Sequence, residues 1–313
     1  MAISNMAVFN SDLRTLTVEL LQQNLNAFNG STNGAIQISA DGFGGDFFEK
    51  SFTKALDSAQ RRVDRYGANS AVTAIDLQDG VSRSVKIAGG FGPVRIEPSQ
   101  YTWMEDNPAR GMSAIATAMA NAMLADFLNT ALLSAVAAIG NNIDATLTSA
   151  LNLSSINTTD GLFGDARDRL SVRVMDGATA TKIIGDNIAN ANRLFTAGNV
   201  TVLDVLGKNV VVTDSPSLRV LGKARVLTLV NGGVMIGNTR DLITNVSPMT
   251  NGNERIEQTY QADYSFTLEL AGYSWDDTTG GKSPIDADLG TGTNWVKNYT
   301  DVKMTAGTLL IEL

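Results

Sequence analysis

Residues 108–139 read PARGMSAIATAMANAMLADFLNTALLSAVAAI, and this stretch decides the fold. Alanine, methionine and leucine dominate it, and only Arg110 and Asp126 carry charge. Asn107 and Pro108 form a standard helix start. The stretch therefore predicts one helix of about 45 Å, at ~1.5 Å per residue. Because it is much longer than the globular mean of about 11–12 residues, we expect other elements to pack along it.

The segment before this helix is predicted to be a β-hairpin followed by a joint. Apolar residues alternate along residues 68–97, and the Asp79-Gly80 step between two alternating runs is a hairpin signal. Glycines at residues 89–93 are expected to break the strand and to act as a flexible joint, since glycine tolerates large dihedral changes. A phosphate loop is disfavoured there, because no Lys-Ser/Thr pair follows.

The N-terminal segment is predicted to be an amphipathic helix or arm. Residues 11–28 place leucines at helical spacing behind Ser11 or Asp12 as the N-cap. Residues 30–45 are rich in Gly, Ser and Asn, so we expect an extended segment that needs a partner surface. A short helix is expected over residues 46–62. Its apolar face would consist of Phe47, Phe48, Phe52 and Leu56.

Beyond the long helix, short strand-like and helix-like pieces alternate, which indicates an α+β fold. One helix is predicted over residues 176–194, and a polar connection over residues 250–255. The predicted strands are residues 170–175, 200–205, 210–213, 225–230, 234–236, 256–270 and 302–313.

Composition excludes several classes of function. The 313 residues include no cysteine and no histidine, so disulfides, thiolate zinc sites, histidine-ligated metals and histidine-based catalytic triads are impossible. The net charge of -8 and the lack of any basic run disfavour nucleic-acid binding. No signal-peptide layout occurs, and Asn121, Asp126 and Asn129 interrupt the apolar surface of the long helix. A soluble protein without a membrane partner is therefore expected.

Two groups of carboxylates are candidates for chemistry. Asp165 and Asp168 follow Gly164, and a second acidic cluster lies further along the chain. That cluster consists of Asp276, Asp277, Asp286 and Asp288. Neither group has the spacing of a calcium loop, so solvated turn carboxylates are the preferred interpretation and no metal or cofactor is predicted. A carboxylate-based hydrolase acting through Asp165 and Asp168 is kept as an alternative.

Five stretches, taken in order, carry a family resemblance. They are residues 91–108 (FGPVRIEPSQYTWMEDNP), 123–131 (MLADFLNTA), 207–215 (GKNVVVTDS), 227–234 (LTLVNGGV) and 270–276 (LAGYSWD). Together they resemble the major capsid proteins of tailed bacteriophages with the Hong Kong 97-type fold. The first stretch looks like the exit of that family's extended loop into its spine helix, the second like the spine helix, and the third like a strand and turn of its axial domain.

The resemblance implies an α+β, Hong Kong 97-type capsid fold with five divisions. They are an N-terminal arm and short helix at 1–60, an extended β-hairpin loop at 61–107, a spine helix and peripheral domain at 108–165, an axial domain at 166–250, and a long strand returning through the peripheral domain, with a C-terminal strand, at 251–313.

The implied function is that of a non-enzymatic shell subunit of the virion. Hexamers and pentamers would form an icosahedral head around double-stranded DNA, assembled in the bacterial host cytoplasm. The implied partners are further copies, a separate scaffolding protein, a portal protein and a cement protein, with only non-specific contact to DNA. No lysine-asparagine pair matches the crosslink of some relatives. The alternatives are an encapsulin-type nanocompartment shell, a tail-tube or sheath protein, and the hydrolase.

Three groups of residues are predicted to act in assembly. The extended loop is expected to contact a neighbouring copy, because a two-stranded ribbon is only marginally stable without a partner surface. The extended-loop contacts are Asp76, Leu77, Asp79, Gly80, Val81, Val85 and Lys86. The hinge consists of Gly89, Gly90, Gly92 and Pro93. The arm contacts are Leu13, Leu16 and Leu20.

Overall fold

The structure is a computed structural model. It describes residues 12–23, 29–30, 32–39, 47–53, 62–68, 71–72, 79–96, 108–188, 204–205, 208–239, 241–249 and 257–313. Statements about the structure below refer to these residues.

The described residues contain six labelled helices, two further helical residues at 29–30, and fifteen strands, beside short 3-10 turns. The helices are α1 (12–23), α2 (Pro108–Gly140), α3 (Leu153–Gly161), α4 (Gly177–Ile188), α5 (Asp277–Gly280) and α6 (Asp286–Leu289). The strands are β1 (Ile36–Ser39), β2 (Phe47–Thr53), β3 (Asp79–Ile96), β4 (Thr146–Ser149), β5 (Leu170–Met175), β6 (Asp204–Val205), β7 (Lys208–Val212), β8 (Arg219–Val220), β9 (Lys223–Val230), β10 (Val234–Asn238), β11 (Ile243–Met249), β12 (Glu257–Leu270), β13 (Tyr273–Trp275), β14 (Trp295–Lys297) and β15 (Gly307–Glu312).

The first large sheet joins the N-terminal third of the chain to its C-terminal half. Its strand order is β1-β10-β12-β3-β2, and β11 also pairs with β12. All its pairs are antiparallel except β1 with β10. The two longest strands, β3 and β12, lie side by side and form its centre.

The second large sheet has the order β4-β15-β9-β5-β7-β6, with β8 paired to β9. It contains the C-terminal strand β15, which lies between β4 and β9. The strands β10 and β11, although close in sequence to β9, belong to the first sheet. The boundaries of the five expected divisions stay predictions.

The helix α2 is the element on which both sheets pack, as its sequence predicts. It contacts β10 and β12 of the first sheet and β15 of the second. At its centre, the Phe127 ring lies 4.6 Å from the Phe266 ring and 6.0 Å from the Tyr264 ring, measured between centroids. Aromatic burial of this kind dominates the energy of a core. The buried side chains of α2 and both sheets form one continuous cluster.

The same helix is long and apolar enough over Ser113–Gly140 to cross a membrane by length and composition alone. In the fold, 56% of its most apolar window is buried inside the protein. The core helix of a globular protein passes the same test, so this feature is weak evidence for a membrane span.

Two predictions about the segment before α2 are wrong. Residues 47–53, predicted within a helix, form β2, in which Phe47 lies opposite Val85 of β3. The Asp79-Gly80 step is not a hairpin turn, because Asp79 pairs with Thr53 and Gly80 with Phe52 inside the ladder. The partner of β3 is a strand far upstream, and an Asp-Gly signal between neighbouring runs does not reveal it.

The predicted strand break at residues 89–93 is also wrong. The strand β3 continues from Asp79 to Ile96, with one register irregularity opposite Tyr260 and Ala262. A Cβ atom on Gly89 would lie 2.6 Å from Cε2 of Tyr264. Glycine is therefore required here by the close approach of a ring across the ladder rather than by an interruption of the strand.

Most other predicted elements are found with small shifts. The predicted helix at 176–194 is α4, and its predicted C-terminal end lies outside the described residues, as do residues 250–255 and most of 200–205. The predicted strand at 302–313 begins instead with a 3-10 turn at Val302–Met304 and becomes β15 only at Gly307.

Candidate assembly surfaces

The strand β3 has two regions that differ in what covers them. From Val85 to Ile96 it pairs with β12, beginning opposite Leu268 and ending opposite Gln258. From Asp79 to Ser84 it pairs only with β2. We call β2 together with residues 79–84 the ribbon. The ladder between β3 and β12 stops at Val85. Near the base of the ribbon β13 covers the second edge, because the Arg83 amide donates a hydrogen bond of 2.9 Å to Ser274 Oγ. Beyond Arg83, no described strand pairs with that edge.

Charged side chains fix the base of the ribbon to the body. The Arg83 guanidinium bonds Glu49 on the facing strand, with Nε to Oε1 at 2.8 Å, and forms an ion pair with Asp277 of α5. These hydrogen bonds and charges raise the pKa of Arg83 despite partial desolvation. On the other strand, Lys50 Nζ lies 2.7 Å from the Glu269 carboxylate of β12. The direction in which the ribbon leaves the body is therefore set by ion pairs at its root.

The connection between the two ribbon strands presents apolar side chains to solvent. Residues 62–68 and 71–72 are described, and all of them are exposed. Val63 and Val72 are exposed, and the Tyr66 side chain is 99% exposed. An exposed tyrosine beside exposed valines is typical of a surface that another molecule covers.

The structure separates the seven predicted extended-loop residues. Asp76 and Leu77 lie outside the described residues. Asp79, Gly80 and Val81 lie in the ribbon, where Val81 is 51% exposed. The other two, Val85 and Lys86, belong to the body.

Those last two residues contact their own chain. Val85 is 0% exposed in the main core, and Lys86 Nζ lies 3.6 Å from Oδ2 of Asp241. Among the predicted loop residues whose side chains are described, Val81 therefore offers the apolar surface for a neighbour.

The four predicted hinge residues lie in the part of β3 that faces β12. Gly89 pairs with Tyr264 and Gly90 with Asp263. Gly92 has a φ of +91°, which favours glycine, and the Gly92-Pro93 bond is cis. Their role as a hinge stays a prediction.

Tyr264 connects this region to the long helix. Its ring lies against Gly89, and its hydroxyl donates a hydrogen bond of 2.7 Å to Oδ2 of Asp126 on α2. Burial raises the pKa of Asp126. One side chain thus links β3 to the spine of the molecule.

The arm helix α1 packs on its own chain through one face. Leu13 is fully buried in the main core, whereas Leu16 and Leu20 are partly buried against it. Leu13 therefore contributes to the fold of its own subunit, and Leu16 and Leu20 keep surface for a neighbour. The arm contact stays a prediction for those two residues.

Asp165, one of the two carboxylates considered for a hydrolase, is not suited to act as a general acid. The Asp165 side chain is 85% exposed and pairs with Lys303 Nζ at 2.5 Å. The hydrogen bond and charge of Lys303 lower the pKa of Asp165. A general acid needs a raised pKa, so this shift has the wrong direction.

The second acidic cluster has structural partners instead of a ligand. Asp276 caps α5 by accepting from the Thr278 amide, and Asp288 accepts from the Ile285 amide at the start of α6. Within the part of the chain that the structure describes, no group of three or more acidic side chains could hold a metal ion. Asp276 and Asp288 therefore cap short helices, and Asp277 pairs with Arg83.

Comparison with known protein families decides the identity. The family described as Gp13-like, major capsid protein 13-like, matches residues 5–309. The chain belongs to this family. It is a structural subunit of a phage head shell, and it resides in the capsid of the virion. Its role is structural. No curated protein matches the chain.

Solved phage structures share the fold of this major capsid protein. The structure of Mycobacterium phage Adephagia has a TM-score of 0.54 at 9% identity, covering 88% of this chain and 87% of that one. The capsid asymmetric unit of cyanophage Pam1 has a TM-score of 0.52 at 13% identity, covering 75% and 84%. The α+β capsid fold of Hong Kong 97 type is thereby confirmed.

Sequence reasoning missed several residues that shape the candidate assembly surfaces of this capsid protein. Arg83, Glu49 and Lys50 hold the ribbon base, and Tyr264 links β3 to α2. The alternation of charge in Glu49-Lys50 is a weak signal, and its partners Arg83 and Glu269 become visible only when strands are paired. Tyr66 lies in a polar stretch with no periodicity, so no pattern singled it out.

Proposed function

We propose that this capsid protein closes an icosahedral head, as hexamers and pentamers around double-stranded DNA, by laying its ribbon on a neighbouring copy. The observation that supports the proposal is the ribbon itself, in which Val81 is exposed, together with the exposed Tyr66 in the segment that joins its two strands. An isolated two-stranded ribbon is marginally stable in water. Burial against an adjacent subunit would supply the missing apolar cover.

Because each subunit makes many such contacts, weak individual contacts are enough to close a shell. Each subunit offers a ribbon and an arm and receives those of its neighbours, so the contacts multiply through valency. Leu16 and Leu20 are the arm residues that we propose to meet another copy, since both keep exposed surface.

A ribbon truncation tests the proposal. Ser51 and Val81 lie opposite each other, so residues 52–80 can be replaced by Asn-Gly, which favours a two-residue hairpin turn. The truncated chain keeps Val85, Arg83 and the core, and we expect a folded subunit that forms no shells. Circular dichroism and thermal melting report the fold, and negative-stain electron microscopy reports the shells. Normal shells from the truncated chain would contradict the proposed role of the ribbon.

A point variant sharpens the same test. Tyr66→Ser removes an exposed ring that contributes little to the free subunit, so the melting temperature should not change while shell yield falls. Arg65→Ser, at an exposed neighbouring position, is the matched control and should assemble better than Tyr66→Ser. Equal yields from both variants would show that the loop does not act through the tyrosine ring.

We also propose that Gly89, Gly90, Gly92 and Pro93 are the pivot when a precursor shell expands. A Cβ atom on Gly90 would meet only the Asp263 side chain at 3.1 Å and the Ala262 carbonyl oxygen at 3.5 Å, so Gly90→Ala should fold. Restricting the dihedral angles at this position should slow expansion. Expansion at the normal rate, followed by electron microscopy over time, would count against a pivot here.

The remaining partners are proposed from the family and from charge. A separate scaffolding protein, a portal protein and a cement protein are the partners we infer. A chain with net charge of -8 repels the phosphate backbone, so contact with packaged DNA should be non-specific and weak. Purified subunits should not retard DNA in a gel at physiological salt, and retardation under those conditions would contradict this expectation.

A further inference from the structure

The hairpin between β8 and β9 has an unusual residue at its tip. Val220 pairs with Lys223, so the turn consists of Leu221 and Gly222 alone. Their φ angles are +53° and +81°. Positive φ at both central positions defines a two-residue turn for which Asn-Gly is the preferred sequence. Leucine is disfavoured here, because its Cβ crowds the backbone in the left-handed conformation.

A second turn has an asparagine instead of a leucine at the position with positive φ. Asn33 and Gly34 have φ angles of +48° and +72°, close to those of Leu221 and Gly222. Asparagine tolerates the left-handed conformation better than leucine does. Among the described residues, Asn33 and Leu221 are the two non-glycine residues with positive φ. Leu221 is thus the one at which a bulky apolar side chain is kept in an unfavourable backbone conformation.

The Leu221 side chain adds nothing to the core of its own chain. It is 96% exposed, and it belongs to none of the apolar clusters. A leucine that is unfavourable for the turn and is not buried in its own subunit points to a contact outside that subunit.

The hairpin is held rigidly enough to present that side chain. Arg219 Nε donates to Oδ2 of Asp176 at 2.6 Å, and Arg219 Nη1 donates to the Gly222 carbonyl at 3.0 Å. On the other strand, the Ala224 amide donates to Glu312 Oε2 at 3.0 Å. The turn is therefore fixed to α4 and to β15 before any partner arrives, which lowers the entropy cost of binding.

We propose that Leu221 is an anchor that inserts into the surface of a second copy of this chain, a contact separate from the ribbon and the arm. The inference rests on the proposed function, in which further copies surround each subunit. Charge favours the same partner. Arg219 and Lys182 are paired with Asp176 and Glu312 of their own chain, and Lys223 adds a positive charge next to the turn, while the chain as a whole carries -8. A weakly basic tip with an apolar apex fits the surface of an acidic subunit.

The substitution Leu221→Asn tests the anchor, because it improves the turn while removing the apolar side chain. We expect the free subunit to melt at the same or a higher temperature, and shell yield to fall at least tenfold. Leu221→Met, which keeps an apolar side chain, should assemble at close to the wild-type yield. Leu221→Asn shells at the wild-type yield would overturn the anchor.

The wild-type chain, expressed with the other head genes of its phage, separates this inference from the proposed function. If the wild type forms no shells, the proposed function fails. If the wild type and Leu221→Asn both form shells equally well, only the anchor fails.

Labelling identifies the partner. The chain has no cysteine, so Leu221→Cys introduces a single thiol. We expect maleimide to label it rapidly in free subunits and at least tenfold more slowly in assembled shells. A photo-crosslinker attached to that thiol should give a product of two capsid chains. Unchanged labelling in shells, or a crosslink to another head protein instead of to a second capsid chain, would contradict the proposal.

Discussion

Val81 and Val85 are the same residue type on the same face of the same strand, four residues apart, yet their surroundings differ completely. Val81 is 51% exposed, and Val85 is 0% exposed. The ladder between β3 and β12 ends at Val85, although β12 itself continues to Leu270, and the buried core lies on the Val85 side of the strand. The difference separates the part of β3 that completes the subunit from the part that we propose a neighbouring copy covers.

The buried half owes its cover to aromatic side chains that α2 and β12 supply. Ile87 of β3 lies opposite Phe266, and Phe266 packs on Phe127 of the long helix. The exposed half is held in place by ion pairs of Arg83 and Lys50 instead. Exposed ion pairs of this kind orient the ribbon but contribute little to the free energy of unfolding, whereas apolar packing contributes most of it.

Removing the aromatic ring that covers the buried half of β3 should have the largest effect on the free energy of unfolding. Phe127→Ala deletes a fully buried ring from the centre of the α2 packing, and we expect a loss of about 3–5 kcal/mol in the free energy of unfolding. Urea unfolding followed by fluorescence measures the loss. Tyr66→Ser, which removes an exposed ring, is the control and should change the unfolding free energy by less than ~0.5 kcal/mol. Similar values for the two variants would mean that the body and the loop do not differ as described.

Crowding the buried half should have the next largest effect. A Cβ atom on Gly89 would meet the Tyr264 ring at 2.6 Å, so Gly89→Ala should cost roughly 1–3 kcal/mol as the ring is displaced. Gly90→Ala is matched to it, since its nearest neighbour is the flexible Asp263 side chain at 3.1 Å. Thermal melting of the two variants measures the difference. A Gly90→Ala variant less stable than Gly89→Ala would refute the close-approach explanation.

The long helix and the main strands of this fold follow from local sequence patterns, so the sequence predicts them. A run of more than thirty residues with two charges can only be a long helix in a chain of this composition, so α2 was predicted almost to the residue. The strands β5, β9 and β12 carry enough β-branched and alternating residues to be recognised alone. What local patterns cannot give is pairing. The Asp79-Gly80 step predicts a turn from its local pattern, but its partners, Phe52 and Thr53, are separated from it by the whole loop.

The surfaces were predictable only in outline. The family resemblance indicated an extended loop and an arm, but burial decides which of their residues are free, and burial depends on the finished fold. Leu13 and Leu16 look equivalent on a helical wheel, yet Leu13 is fully buried in the core of its own chain. No sequence pattern singles out Leu221, because its unusual property is a positive φ angle, which only the structure shows.

Truncating the two valines compares the halves of β3 directly. Val85→Ala removes two buried methyl groups, and we expect a loss of about 2 kcal/mol in the free energy of unfolding. Val81→Ala should change that free energy by less than ~0.5 kcal/mol. Shell yield should fall for Val81→Ala although its subunit is as stable as the wild type. Unfolding in urea and particle counts by electron microscopy give both quantities, and equal destabilisation by the two variants would erase the contrast.

The smallest effect concerns the ion pair at the boundary, between Lys86 of β3 and Asp241. Burial opposes ionisation of Asp241, but hydrogen bonds from Ser265 and Thr239 and the charge of Lys86 outweigh it and lower its pKa below the ordinary 3.8. A lowered folded-state pKa stabilises the fold above the unfolded value and loses that stabilisation as pH falls through the folded value. Because the carboxylate is partly exposed and screened, we expect less than ~1 kcal/mol. Wild type should therefore be slightly more stable than Asp241→Asn at pH 7, and the difference should shrink progressively as the pH falls below 3.8, as urea unfolding at a series of pH values can measure. A difference that persists at low pH would mean that the carboxylate contributes through packing and not through its charge.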